Sequence, residues 1–193
     1  MAQLVGVVLA GGEGRRMGRA KADLAVDGSV SLAERAALAL GPLCGTVVIS
    51  VSPGGENPAP NYSVVQDSEP AGRGPLAGID AAYRASGCAD LLVLACDYPR
   101  VDTALLEAIL RNATPEDEMV IVTDGRGRDH PLVGLWRRSM EEPVRTALEI
   151  GLYKVRSLLA EARVRRVGPA DLPGRDPDAS LINVNTRADL DSL

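Results

Sequence analysis

LVGVVLAGGEGRRMGRAK, from Leu4 to Lys21, is the stretch whose reading decides the fold. A valine-rich apolar run without alternation stops at the pair Gly11-Gly12, and Arg15, Arg16, Arg19 and Lys21 follow closely. A run of that kind is expected of a strand covered on both faces, as in a parallel sheet. Glycines directly after a strand remove side-chain bulk, so main-chain N–H groups can approach a phosphate or a base edge. Arg16 then adds a forked contact and Lys21 a mobile point charge. The combination suits a centre where phosphorus reacts and negative charge builds on a leaving group. A glycine turn followed by solvated surface cations is the competing reading of this stretch alone.

Two common phosphate cradles can be excluded by counting. For the dinucleotide fingerprint G-x-G-x-x-G, Gly12 and Gly14 fit, but the third position is Met17 and Gly18 comes one residue late. The acidic residue expected after the second strand is also missing, because that strand ends in Ser50-Val51-Ser52. A Walker A loop fails as well. Starting from Gly11, Gly12 or Gly14, the second glycine would have to stand at Arg16, Met17 or Arg19.

The chain has 193 residues, 46% hydrophobic and 24% charged, which fits one soluble domain, 1–193, with a substantial core. It contains no Phe and one Trp, so Val, Leu, Ile and Ala must fill that core. A net charge of −5 argues against a general nucleic-acid binder and makes the cations near Arg16 a local anion site. Cys44, Cys88 and Cys96 lack C-x-x-C spacing and have one His between them, which reads as buried reduced thiols rather than zinc or a disulfide scaffold. The N-terminal apolar run is short and its cations follow it, the reverse of an export signal. No stretch approaches membrane-spanning length, so a cytoplasmic location is expected.

Beyond the opening stretch, strand-like runs alternate with helical patterns. SLAERAALALG (Ser31–Gly41) has a capping Ser and a terminal Gly; TVVISV (Thr46–Val51) is a strand broken by Pro53-Gly54-Gly55. YSVVQD ends in Asp67, GPLAGIDAAYRAS begins a helix with Pro75, and DLLVLACD ends in Asp97. The helix VDTALLEAILRNA, with Asp102 as its cap, precedes the strand EMVIVTD, and PLVGLWRR is expected to return antiparallel to it. Helices in SMEEPVRTALEIG and YKVRSLLAEA, a strand RVRRV and the tail SLINVNTRADLDSL complete the order, with Thr186 and Asp189 forming a variant capping box. The alternation predicts an α/β fold of three layers, a mostly parallel sheet with helices on both faces. Ligands then gather where strands end, and Gly11, Asp67 and Asp97 each stand just past a predicted strand.

In order along the chain, LAGGEGRRMGRAK, QD…GRGPLAGI, CDYP, RDHPLVGLW and INVNT resemble the motifs of the nucleotidyltransferases with a Rossmann-like fold. More narrowly they look like the molybdenum cofactor guanylyltransferase (MobA-like) family, across nearly the whole chain. The resemblance implies transfer of GMP from GTP to the terminal phosphate of molybdopterin or Mo-molybdopterin, with release of pyrophosphate. It implies that Leu9, Ala10, Gly11 and Gly12 hold the guanine and ribose end through backbone groups, with Ser50, Asp67, Gly74 and Gly78 completing the nucleotide site. Arg16 and Lys21 would offset charge on the phosphates, and Asp97 would bind Mg²⁺, with Mn²⁺ as an alternative. Lys154, Asn183 and Asn185 are assigned to the pterin side, and molybdopterin-delivering and molybdoenzyme-maturation proteins are implied partners.

Base choice rests on the same resemblance: the related cytidylyltransferases typically carry LAAG and lack GPLAG, whereas this chain has Gly11-Gly12 and the full GPLAGI. Two departures stand out. Ala20 occupies a position where many relatives have Asp, and Ser50 stands where some place an Asn; its hydroxyl could still reach a ribose. His130, the single histidine, is given a structural or pterin-side role, since a phosphate nucleophile is already ionised and needs no general base. The alternatives are a relative with another base or acceptor (the cytidylyl version, a sugar phosphate, phospholactate) and a non-catalytic nucleotide binder.

Overall fold

The computed structural model describes residues 4–11, 22, 24–26, 30–67, 71–87, 89–185 and 189. Its strands are β1 (Leu4–Leu9), β2 (Ala25–Val26), β3 (Val30–Ser31), β4 (Thr46–Val51), β5 (Ser63–Gln66), β6 (Asp90–Ala95), β7 (Met119–Thr123), β8 (Asp129–Trp136) and β9 (Val164–Val167). Its helices are α1 (Leu32–Leu40), α2 (Pro75–Ser86), α3 (Thr103–Arg111), α4 (Glu141–Glu149), α5 (Val155–Leu159) and α6 (Pro177–Ser180). β2 and β3 form a small antiparallel ribbon; the other strands make one sheet in the order β5-β4-β1-β6-β8-β7-β9. All pairings in that sheet are parallel except those of β8.

The sequence signals act locally as expected. Ser31 Oγ accepts from Glu34 N–H at 3.0 Å to start α1, and Asp102 accepts from Leu105 N–H at 2.8 Å to start α3. Pro75 opens α2, and Gly87 at φ +57° closes it in the left-handed conformation. One expected helix is shorter than its pattern: α5 stops at Leu159, because Arg163 is drawn into pairing with Glu118 at the start of β7.

β1 explains the layering. Val5, Val7 and Leu9 pack on one face with Leu76, Ile79 and Tyr83 of α2 and with residues of α4 and α5. Val8 packs on the other with Leu32 and Leu40 of α1 and Leu105 and Leu106 of α3. Both faces are dry, which is why the strand reads as a continuous apolar run. Each fully buried aliphatic side chain contributes about 1.5–3 kcal/mol, so many such residues replace the missing phenylalanines.

β1, β4, β5, β6 and β7 run in one direction, so Gly11, Ser52, Asp67, Asp97 and Asp124 are gathered along one edge. From β1 the chain proceeds outward to β4 and β5; from β6 it proceeds to the opposite side. The reversal opens a crevice beside the ends of β1 and β6, where ligands of open α/β sheets bind. Among the described residues no helix is long and apolar enough to cross a membrane.

Candidate functional site

At the strand-end edge lies a cleft of about 310 Å³ lined by Leu9, Gly11, Ser50, Asp67, Gly72, Gly74, Pro75, Gly78 and Leu132. Its polar centre is a pair on adjacent parallel strands. Ser50 Oγ donates to Asp67 Oδ1 at 2.7 Å, and Ser50 is only 1% exposed. Burial pushes the Asp67 carboxyl above the usual carboxylate range, and the hydrogen bond from Ser50 partly offsets this. The sequence assigned Ser50 a contact to the ligand's ribose; the structure shows its proton given to Asp67.

Two glycines make room for that pair. A Cβ on Gly11 would lie 3.0 Å from Asp67 Oδ2 and 3.2 Å from Ser52 N, and a Cβ on Gly78 would collide with Ser50 Oγ. Gly74 differs: its φ of +69° is a conformation that side chains resist, and it turns the chain into α2. No side chain caps α2, so its first turn meets the cleft as bare backbone.

The turn after β1 is pinned by its neighbours. Ala10 N–H donates to Ser50 O at 2.8 Å, Leu9 O accepts from Cys96 N–H at 3.2 Å, and Ser52 Oγ donates to Gly11 O at 2.7 Å. The Ala10 donor is therefore committed to the sheet. Gly12, Arg16 and Lys21 lie outside the described residues, as do Cys88 and Thr186.

Asp97 stands half-buried two residues past the end of β6, and its carbonyl accepts from Val184 N–H at 2.9 Å. That bond docks the C-terminal segment against the crevice. Asn183 and Asn185, both assigned to the pterin side, separate here: Asn183 is half-buried with an Oδ1 that is buried and has no hydrogen-bond partner, whereas Asn185 is exposed. Asp189 accepts from Asn185 N–H at 2.8 Å, one residue before the Thr186 cap position inferred from sequence. Lys154 is exposed at the start of α5; next to it, the Tyr153 carbonyl lies 3.3 Å from where a Gly74 Cβ would be. Lys154 thus stands at the rim beside the start of α2, while Asn183 stands beside Asp97.

An oxygen-donor set of this kind suits a hard divalent cation. Asp97 supplies a carboxylate, Asn183 Oδ1 is a buried acceptor still open to a ligand, and Mg²⁺ needs few protein ligands because it keeps much of its water. Among the described residues there is no cluster of three or more His, Cys, Asp or Glu side chains.

His130 is 6% exposed and lies inside the fold. Its Nδ1 is 3.2 Å from the Tyr98 hydroxyl and its Nε2 is 3.3 Å from Asp124 Oδ2. Tyr98 and Leu132 fall within the motifs CDYP and RDHPLVGLW and Asp124 ends a predicted strand, yet none had a role assigned from sequence; it is the antiparallel return of β8 between β6 and β7 that sets His130 between Tyr98 and Asp124.

Comparison with known proteins agrees with this geometry. A model of the MobA-like NTP transferase domain matches residues 6–167. A probable molybdenum cofactor guanylyltransferase of Mycobacterium tuberculosis (strain ATCC 25618 / H37Rv) is 35% identical over 192 residues, covering 97% of this chain and 91% of that one. The crystal structure of molybdopterin-guanine dinucleotide biosynthesis protein A from Archaeoglobus fulgidus superposes with a TM-score of 0.80 at 26% identity, over 97% and 95% of the two chains. A M. tuberculosis protein crystallised in complex with manganese shares the fold, with a TM-score of 0.66 at 17% identity over 99% and 97%. With the order of motifs, the sheet topology and the extent of these matches in agreement, the chain belongs to the MobA-like NTP transferase family and is a nucleotidyltransferase.

Proposed function

We propose that the chain, acting as one domain, transfers GMP from GTP to the terminal phosphate of molybdopterin or its molybdenum-loaded form. A phosphate oxygen of the acceptor bonds to the α-phosphorus, the bond from that phosphorus to the β-phosphate bridging oxygen breaks, and pyrophosphate leaves. The observation that carries the reading is the Asp67 carboxylate, held by Ser50 against the Cβ-free walls of Gly11 and Gly78, in the crevice beside Asp97. Relatives named for guanylyl transfer to this cofactor support the acceptor.

An ionised carboxylate only accepts hydrogen bonds. Guanine offers N1–H and its amino group side by side, whereas cytosine and adenine set an acceptor beside their single amino group. Asp67 therefore favours guanine, with Ser50 fixing the carboxylate rather than touching the ligand. Gly74 and Gly78 let the start of α2 approach the base, and the Cβ-free backbone of Gly11 lines the cleft beside it, with Gly12 assigned to the nucleotide by the motif alone.

Asp97, with Asn183 Oδ1, would hold the divalent cation, Mg²⁺ or Mn²⁺ in its place. When bound, it supplies charge neutralisation on the triphosphate oxygens. Arg16 and Lys21 offset charge on the departing pyrophosphate. Lys154 and Asn185 face the acceptor from the rim. No residue need remove a proton from the nucleophile, since a phosphate oxygen is already ionised at neutral pH.

Equilibrium binding in Mg²⁺ tests the base. GTP should bind more tightly than CTP or ATP by roughly tenfold, about 1.4 kcal/mol, and Asp67→Asn should erase the difference. CTP binding as tightly as GTP would overturn the guanine assignment. Asp97→Ala should abolish turnover, and near wild-type product formation would show that the cation is held elsewhere.

A further inference from the structure

A second pocket, of about 370 Å³, shares no lining residue with the nucleotide cleft. The β7–β8 turn contributes Gly127, Arg128 and Asp129 to it, α5 contributes Arg156 and Leu159, and β9 contributes Arg166. We propose that this pocket holds the anionic dithiolene end of the acceptor, remote from the phosphate that reacts. The inference rests on the guanylyl-transfer reading above and extends it to the far end of the same substrate.

Charge selects the class of ligand. Arg84, Arg111, Arg137 and Arg145, elsewhere on the surface, each have a carboxylate oxygen within 3.2 Å. In the pocket, three guanidinium groups meet one lining carboxylate, so two positive charges are unmatched within the lining of a chain whose net charge is −5. Asp129 is taken up by Arg166, whose Nε lies 3.1 Å from both of its oxygens. Thr123 Oγ1 donates to the same carboxylate at 3.1 Å, which fixes Asp129 and with it the guanidinium. The Arg128 guanidinium lies 3.9 Å from Asp124, beyond hydrogen-bonding distance. Arg156 is exposed, and its side chain has no ion pair or hydrogen bond among the described residues. Arginine's planar, weakly hydrated fork suits a broad anion better than a compact ammonium does. Leu159, half-buried, adds an apolar wall that favours carbon and sulfur over a bare hydrated ion.

Position selects the acceptor over an unrelated anion. α5 follows directly on Lys154 at the cleft rim and carries Arg156 and Leu159 into the pocket. Its Val155 and Leu158 pack in one core with Leu76 and Ile79 of α2, so pocket and cleft open on the same face of the sheet. β8 joins them as well: Leu132 lines the cleft and Asp129 lines the pocket. Three residues of chain separate these two, a span of roughly 10 Å at most. A molecule that enters the cleft by its phosphate can therefore reach the pocket with its other end. Molybdopterin has that form. Its phosphate is the group that reacts, and its remaining anionic group is the dithiolene, whose sulfurs are ionised or hold the oxo-metal.

The test is acceptor kinetics with GTP, Mg²⁺ and molybdopterin, kept anaerobic, for the wild type, Arg156→Glu, Arg166→Gln and Arg111→Glu. Arg111 is on α3, which packs against the opposite face of the sheet, and serves as the charge control. Both pocket variants should raise the KM for molybdopterin by about fivefold, the upper range for a partly exposed charge contact. Their kcat and their KM for GTP should stay at the wild-type values, as for a contact equally strong in ground and transition states. Equilibrium binding of molybdopterin to the GTP-free protein should weaken by the same factor, and more salt should narrow the gap. Molybdopterin with both sulfurs capped by carboxamidomethyl groups keeps its phosphate and loses the dithiolene charge, so Arg156→Glu should not raise its KM. An unchanged KM for native molybdopterin in both pocket variants, an equal rise in Arg111→Glu, or an equal rise for the capped acceptor would overturn the proposal. If the wild type forms the dinucleotide while the pocket variants match it, the guanylyl-transfer reading stands without the pocket. If the wild type forms none, both fall together.

Discussion

Gly78→Ala sets two effects against each other inside α2. Replacing a helical glycine by alanine stabilises an exposed helix by about 1 kcal/mol. Here the added Cβ would collide with Ser50 Oγ and lie 3.1 Å from both Asp67 Oδ1 and Leu9 Cδ2. Ser50 can rotate away only by giving up its 2.7 Å hydrogen bond to Asp67. That loses about 1 kcal/mol and leaves a buried hydroxyl to find another partner, at about 1–3 kcal/mol if it fails. Overpacking against Leu9 adds about 1–3 kcal/mol if the neighbours cannot move. The steric loss should exceed the helical gain, leaving the variant about 1–3 kcal/mol less stable. For a domain of this size that is a melting temperature lower by roughly 3–10 °C. GTP affinity should fall by about tenfold or more, equivalent to about 1.4 kcal/mol, because the carboxylate is released and the cleft narrowed. Calorimetric melting of the ligand-free protein and equilibrium GTP binding measure the two effects. Gly41→Ala is the control: its Cβ would meet nothing closer than 3.5 Å and its φ is −51°, so its stability should stay level or rise. A Gly78→Ala protein that melts at or above the wild type and binds GTP equally well would refute the packing argument.

Asp67→Asn should have opposite effects on stability and binding. Burial raises the carboxyl's pKa in the folded state, so its contribution to stability is fully present below the unfolded pKa and lost as pH rises through the folded one. The ligand-free variant should therefore melt higher than the wild type near neutral pH, with the gap closing below about pH 4, while GTP binding weakens. A gap that widens in acid would contradict the sign. Asp102→Ala removes the cap bond to Leu105 N–H at 2.8 Å and an exposed contact to Arg175, costing about 1 kcal/mol of stability. Its kcat/KM should be unchanged; a loss of activity without loss of stability would place Asp102 in the site.

Much of the architecture was legible because it depends on local signals. Unalternating apolar runs marked the buried strands, Ser31 and Asp102 marked helix starts, and the glycine pair with its trailing cations pointed to the end of β1 as the candidate site. What sequence could not supply was register. Ser50 and Asp67 are seventeen residues apart, and only the parallel pairing of β4 with β5 brings the hydroxyl to the carboxylate. Tyr98 and His130 are separated by thirty-two positions and meet because β8 returns beside β6. Asn183 and Asn185 look equivalent in sequence, yet docking of Val184 on Asp97 half-buries one and leaves the other exposed. In each case the missing information was which strand or segment lies beside which.

The most direct test is product analysis with the intact protein, Mg²⁺, molybdopterin and each of GTP, CTP, ATP and UTP in turn. Pyrophosphate release and the mass of the pterin product would be measured together. The account predicts that GTP gives molybdopterin guanine dinucleotide and pyrophosphate in equal amounts, with CTP slower by roughly tenfold or more, a difference of about 1.4 kcal/mol in the barrier. Equal or faster turnover of CTP, or no pterin dinucleotide from GTP, would contradict it.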